Sequence, residues 1–261
     1  MPGTIKTRMS SLHISISAEP LAHVAGVTIT NSMLTSWFVT ALLIILVLMF
    51  YRTITYKGRP GRMQSFIEFV IEGLYGVVES MTGALKAKTF FPLIATFFIY
   101  IIFSNWSGLI PGAGTIGMTE VVDGAKEFIP FFRAPTADIN TTLALGLVSM
   151  VMVQVYGVKF LGVRYFKKFF DFSSPINFFV GILEIISDVA KVISFAFRLF
   201  GNIIAGEILL LVMGFLVPVF GPTPFIGLEI FVGFIQALVF MMLSTVFINM
   251  ATIGHGDEHH E

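Results

Sequence analysis

Five stretches of this chain, 33–50, 90–110, 139–162, 175–217 and 224–253, stay apolar for about the 20 residues that a helix needs to cross a bilayer. No water is available there to bind exposed N–H and C=O groups, so each run must satisfy its backbone internally as a helix. The expected fold class is an all-α integral membrane protein with about five membrane-crossing segments. Of 261 residues, 56% are hydrophobic and only 12% charged, outside the usual composition of soluble domains. The 16 basic and 16 acidic residues balance, so no overall field favours nucleic acid. Without cysteine there is no disulfide and no thiolate metal site. Residues 1–32 lack the compact basic, apolar and small-residue pattern of a cleaved signal, so the first run is expected to be a true span.

A single membrane domain, 1–261, is expected. The runs at 175–217 and 224–253 are unusually long, and the first would form a rod of about 64 Å at 1.5 Å per residue, twice the bilayer core. Such helices must tilt strongly, bend or break. Gly181, Gly201, Gly206 and Gly214 would let another helix approach closely. Ser173 or Ser174 before Pro175 fits a cap and first-turn pair. Basic residues set the orientation. Arg52, Lys57, Arg59, Arg62, Lys86 and Lys88 follow the first run, and Arg164, Lys167 and Lys168 follow the third, so those loops read as cytoplasmic. The loop 111–138 and the turn before 224 read as external. This puts residues 1–32 outside and the tail 254–261 in the cytoplasm, with Lys6 and Arg8 opposing the trend. Segment 64–88 carries Phe66, Phe69, Val70, Leu74, Val77 and Val78 at helical spacing, as an amphipathic helix on the inner surface would.

Along 175–217 the polar residues Glu184, Asp188, Lys191, Ser194, Arg198 and Asn202 recur every three or four positions, on one face of a helix. Apolar residues fill the other faces, so the stripe lines protein or water within the membrane, or else only joins helices. Arg198 stands about 20 residues from the nearest break. A guanidinium at the centre of a membrane helix costs about 2.5–3.5 kcal/mol on insertion scales and does not lose its proton. Asp188 and Lys191 are close enough to pair on one face. Arg198 has Ser194, Phe195, Gly201 and Asn202 three and four positions away, none a carboxylate, and Glu184 lies about 21 Å along the axis. Its counter-charge must come from another helix or another chain.

Glu207 is about 180° around the helix from Arg198 at 100° per residue, so it faces away. Glu229 and Gln236 share a face of the last run. If the last two runs form an antiparallel hairpin, Glu207 and Glu229 lie toward the outside, with Gln236 deeper. That is a polar path ending near a fixed positive charge. Two facing carboxylates would share a proton or water and titrate as a coupled pair. Each of them also suits a protonated packing residue, and Gln236 an interhelical hydrogen bond.

At these positions the chain resembles subunit a of the F-type ATP synthase. The resemblance is carried by Arg198-Leu199-Phe200-Gly201-Asn202 with Ala205-Gly206-Glu207, by Gln236-Ala237 and by Met250-Ala251. Ser104-Asn105, Gly108-Leu109-Ile110-Pro111 and Pro135-Thr136-Ala137-Asp138-Ile139-Asn140 add to it. It runs from the second span to the C-terminus and leaves out the N-terminal segment and the charged part of loop 111–138. It implies a stator subunit that conducts protons through two offset half-channels to and from the carboxylates of a rotor ring, a subunit c oligomer against which the last two helices pack. Arg198 would attract the ring carboxylate and divide the half-channels. Asn202, Glu207 and Gln236 would belong to the external path, and Glu184 and Ser187 to the internal exit; Glu229 is expected to form an external proton relay with Glu207, and Asp188 to belong to the proton path. The implied partners are the ring, the peripheral stalk subunit b, the remaining ATP synthase subunits and membrane lipid. The implied location is an energy-coupling membrane, the bacterial plasma membrane rather than an organellar one.

Asp138 opens an apolar run and reads equally as an N-cap or a channel residue, and Asn140 is similarly open. His255, Asp257, His259 and His260 have metal-ligand chemistry, but a polar tail after a last span reads as solvated, and no metal or other cofactor is expected. Nothing resembles a phosphate loop, so the chain by itself is not expected to bind nucleotide or act as an enzyme. The rival reading is a self-contained proton-coupled secondary transporter. It would need corresponding broken helices in repeated halves, and none is visible.

Overall fold

The computed structural model describes residues 18–24, 26–54, 60–110, 112, 115–122, 125–169, 174–217 and 220–253. Residues 1–17 and the His-bearing tail 254–261 therefore lie outside the described residues. Among those described, five helices are long and apolar enough to cross a membrane: α1 (Asn31–Thr53), α3 (Ala84–Ser107), α4 (Ile139–Leu161, continued by a 3-10 stretch Gly162–Lys168), α5 (Pro175–Leu216) and α6 (Pro222–Ala251). The chain is an all-α integral membrane protein. A sixth helix, α2 (Arg62–Thr82), precedes α3.

Side-chain chemistry sets the helix starts. Thr30 caps α1 by accepting from the Met33 amide, and Asp138 caps α4 by accepting from the Asn140 amide at 2.9 Å. Ser174, not Ser173, caps α5, with Pro175 in the first turn where its missing N–H costs nothing. Gly83, at φ +77°, turns the chain between α2 and α3 in a single residue. The amphipathic segment thus ends at Thr82, and Lys86 and Lys88 belong to the membrane-crossing α3. Only the end of the α2 stripe packs on the protein. Leu74 and Val78 are buried while Phe66 and Phe69 stay exposed.

α5 runs unbroken for 42 residues, about 63 Å at 1.5 Å per residue, so of tilting, bending or breaking only the last is removed. Two antiparallel hairpins also form, β1 (Pro20–Val24) with β2 (Val27–Thr30) and β3 (Gly117–Val122) with β4 (Ala125–Pro130). Hydropathy does not reveal them, because their strands are short. Asn31, at the start of α1, ties both together: its amide donates to the Pro130 carbonyl, and its Oδ1 accepts from the Glu19 N–H.

α3 is the central post. Its Ile94, Phe97, Phe98 and Ile101 join Phe240, Met241 and Ile248 of α6 in one buried cluster, with Phe195 of α5 stacked on Phe240 at 4.7 Å. The end of the bundle at which α3 stops is closed by the returning loop, whose 3-10 turn Pro135–Ala137 is buried among the helices. Asn105 of α3 secures that turn. Its Nδ2 donates to the Gly233 carbonyl of α6 at 2.9 Å, and its Oδ1 accepts from Thr136 Oγ1 at 2.7 Å. Asn105→Ala strands the buried Thr136 hydroxyl, at a cost of about 1–3 kcal/mol, and removes the tie to α6, whose Gly233 carbonyl keeps its place in the helix. The expected result is a lower midpoint for thermal unfolding of the protein in detergent; an unchanged midpoint would show that these bonds hold nothing.

Candidate functional site

The polar residues of α5 and α6 fall into three separate places. At the first, Glu207 of α5 meets Arg133 from the returning loop, whose Nε and Nη2 both lie 3.3 Å from Glu207 Oε2. Arg133 is held there by its backbone N–H, which donates to Thr35 Oγ1 of α1 at 3.2 Å, and by the buried turn that follows it. Glu229 of α6 is buried against Gly206, where even a Cβ would overlap its carboxylate. Its Oε1 is buried and accepts no hydrogen bond among the described residues. Gln236, also buried, stands two turns further along the same face of α6. Because Gly206 precedes Glu207, the two glutamates gather at one level of the helix pair, with the Arg133 guanidinium on Glu207.

Arg198 occupies the second place, about 14 Å along α5 from Glu207. Phe195, Ala196, Leu199 and Ile203 are buried against the rest of the protein. Arg198 is exposed on the other side together with Phe197, Gly201 and Ala205. Its Nη2 donates to Ser194 Oγ at 3.3 Å, and among the described residues no carboxylate comes within ion-pairing distance. Asn202 is half-buried beside it. Of the glycines singled out for close approach, Gly181 packs on the Phe169 carbonyl and Gly206 on Glu229, whereas Gly201 faces open space.

At the third place, toward the start of α5, charges compensate one another. Lys191 Nζ lies 2.7 Å from Asp188 Oδ1 and 3.9 Å from Glu184 Oε1, and Lys168 pairs with Glu184. Gln154 Nε2 donates to Asp188 Oδ2 at 2.9 Å, and Gln154 Oε1 accepts from the Tyr165 hydroxyl at 2.6 Å. Ser187 is half-buried between these carboxylates in sequence. Asp138 and Asn140 belong to none of the three groups: Asp138 caps α4 and also accepts from Asn140 Nδ2 at 3.2 Å.

Arg133, Gln154 and Tyr165 were not expected among these groups. A signal existed for Gln154, an amide in the middle of the apolar run 139–162, well away from Asn140 at its start. For Arg133 the signal was its place just before the segment Pro135–Ala137.

The geometry can be set beside known proteins. A family model described as ATP synthase A chain matches residues 33–249, which takes in all three places. ATP synthase subunit a of Gloeobacter violaceus is 34% identical over 229 residues, covering 88% of this chain and 86% of that protein. ATP synthase subunit a of Geotalea daltonii is 37% identical over 216 residues, covering 82% and 83% respectively. With a family model matched from residue 33 to 249 and relatives matched over most of both lengths, this chain belongs to the ATP synthase A chain family.

Proposed function

We propose that this chain is the proton-conducting stator subunit of a rotary ATP synthase, carrying protons through two offset half-channels to and from the carboxylates of a rotor ring. The observation that carries this reading is Arg198, exposed on α5 with no carboxylate partner among the described residues. A permanent cation in a membrane needs an anion, and a ring carboxylate passing the bare face of α5 supplies one. Arg198 then divides the paths, because a proton arriving from either side must board the ring rather than cross directly. The outer path is Glu207, Glu229, Gln236 and Asn202, and the inner exit runs past Glu184, Ser187 and Asp188. Asp138 and Asn140 support the outer end of α4 beside that path.

In this reading α5 and α6 lie tilted against the ring, and the partners are the subunit c oligomer, the peripheral stalk subunit b, the other ATP synthase subunits and lipid. The N-terminus is outside and the C-terminus in the cytoplasm, in a bacterial plasma membrane. The chain turns over no nucleotide itself; it couples ion flow to ring rotation.

The absence of cysteine makes the test clean. Single cysteines at Phe197, Gly201 and Ala205, all on the bare face, are expected to cross-link to a cysteine on the ring in native membranes. Cysteines at the buried Ala196 and Ile203 are expected not to. Equal adducts from both sets, or none from the first, would remove the reading.

A further inference from the structure

Lys191 is a second cation on the stripe of α5. It lies two turns before Arg198, about 10 Å along the axis and within about 20° of the same face. Arg198 has only a hydroxyl for company, whereas Lys191 is surrounded by compensation: Asp188 at 2.7 Å, Glu184 at 3.9 Å and the ring of Phe247, whose centroid is 5.1 Å away. Both oxygens of Asp188 are committed, Oδ1 to the ammonium and Oδ2 to Gln154 Nε2. Gln154 is in turn fixed by the hydroxyl of Tyr165, a buried residue whose ring fills the space above Gly157. A carboxylate oriented by an amide, itself oriented by a tyrosine on another segment, is built to stand still. The formal charges of Lys168, Lys191, Glu184 and Asp188 cancel. Arg198 is left as the one uncompensated charge of the stripe among the described residues.

We infer that Asp188 is a positioning residue that acts through Lys191: itself fixed by Gln154 of α4, it holds that ammonium beside the Phe247 ring of α6 and keeps it from becoming a second fixed cation on the face that Arg198 presents. Asp188 does not itself carry the proton. This rests on the stator reading. A ring carboxylate drawn to one cation at one depth is released when it is protonated, whereas a second free cation two turns away would hold it at the wrong depth and stall the ring.

The test uses the whole ATP synthase in inverted membrane vesicles, with ATP-driven acidification as the readout and the amount of this subunit followed by immunoblot. Asp188→Asn keeps the shape and frees Lys191. It is expected to lower pumping about tenfold or more, as loss of one member of a shielded ion pair does. Lys191→Gln alone is expected to keep most of the activity, and Asp188→Asn with Lys191→Gln to recover most of what Asp188→Asn lost. Removing a lysine cannot replace a missing proton carrier, so a double variant no better than Asp188→Asn overturns the inference. If Asp188→Asn lowers the amount of subunit, the comparison moves to Ala190, which is exposed on α5. Ala190→Lys is expected to stop pumping relative to Ala190→Met, of similar reach without the charge, and Ala190→Lys pumping as well as Ala190→Met overturns it. Arg198→Gln in the same membranes separates the two ideas. Normal pumping there defeats the stator reading itself, whereas an inactive Arg198→Gln beside an unrescued Asp188→Asn defeats only the role of Asp188.

Discussion

Arg198→Ala is expected to abolish ATP-driven proton pumping and proton-driven ATP synthesis while the complex still assembles. Assembly survives because the guanidinium is exposed and, among the described residues, hydrogen-bonds only to Ser194, so removing it disturbs none of the packing by Phe195, Ala196 and Leu199 on the opposite side of α5. On the stator reading function does not survive, because a ring carboxylate would lose its counter-charge. Breaking a desolvated pair from one side costs about 3–5 kcal/mol, on the order of 200-fold to 5,000-fold if it falls wholly on a rate. Arg198→Lys keeps the charge but loses the planar fork, and an intermediate rate is expected. The measurements are acidification of inverted vesicles, ATP synthesis under an imposed gradient, and subunit amount by immunoblot. An Arg198→Ala complex that still made ATP from the gradient would sink the stator reading.

The second large effect is expected at the contact between Gly206 and Glu229. The Glu229 carboxylate occupies the place where a side chain on Gly206 would begin, so Gly206→Ala must push it aside. That carboxylate is the free end of a flexible side chain and moves without parting the helices, which keeps the structural cost near the lower end of the usual 1–3 kcal/mol or so for an inserted methyl. Proton transfer suffers instead. Glu229→Gln, which removes the group, and Gly206→Ala, which misplaces it, are each expected to reduce pumping by about 100-fold, in the range of a lost general acid–base group. If both act through this one carboxylate, the double variant is no worse than either alone, a departure from additivity that a double-mutant cycle reads directly. Glu207→Gln is expected to impair pumping as well and to leave Arg133 without its carboxylate. Should Glu207→Gln and Glu229→Gln both pump normally, the outer relay is abandoned.

What could be read in advance depended on how far apart the interacting residues lie in the chain. The five apolar runs announce helices because each satisfies its backbone within itself, and α1, α3, α4, α5 and α6 lie over them. The Asp188–Lys191 pair was legible for the same reason, being three positions apart on one helix. That Arg198 lacks a carboxylate neighbour was legible from its own helix, and the fold brings up none among the described residues. Arg133 and Glu207 are 74 positions apart, and Asn105 and Gly233 are 128 apart. No periodicity connects such residues. Only the packing of the returning turn Pro135–Ala137 among the helices brings the first two together. The uninterrupted course of α5 was equally hidden, because a long apolar run is compatible with a break until its neighbours are known.

The polar seat of α1 bears on the order in which the chain can be built. Asn31 donates to the carbonyl of Pro130, 99 positions later, and Thr35 accepts from the N–H of Arg133, 98 positions later. Of the described helices the first to be made is thus fastened by a loop made only after two further helices, and beyond Val39 its own surface is almost wholly exposed. Before that loop emerges α1 can hold only to α3, through the Ser36 and Tyr100 hydroxyls at 2.7 Å, and the cluster of Arg133, Glu207 and Glu229 is completed only once α6 has been made.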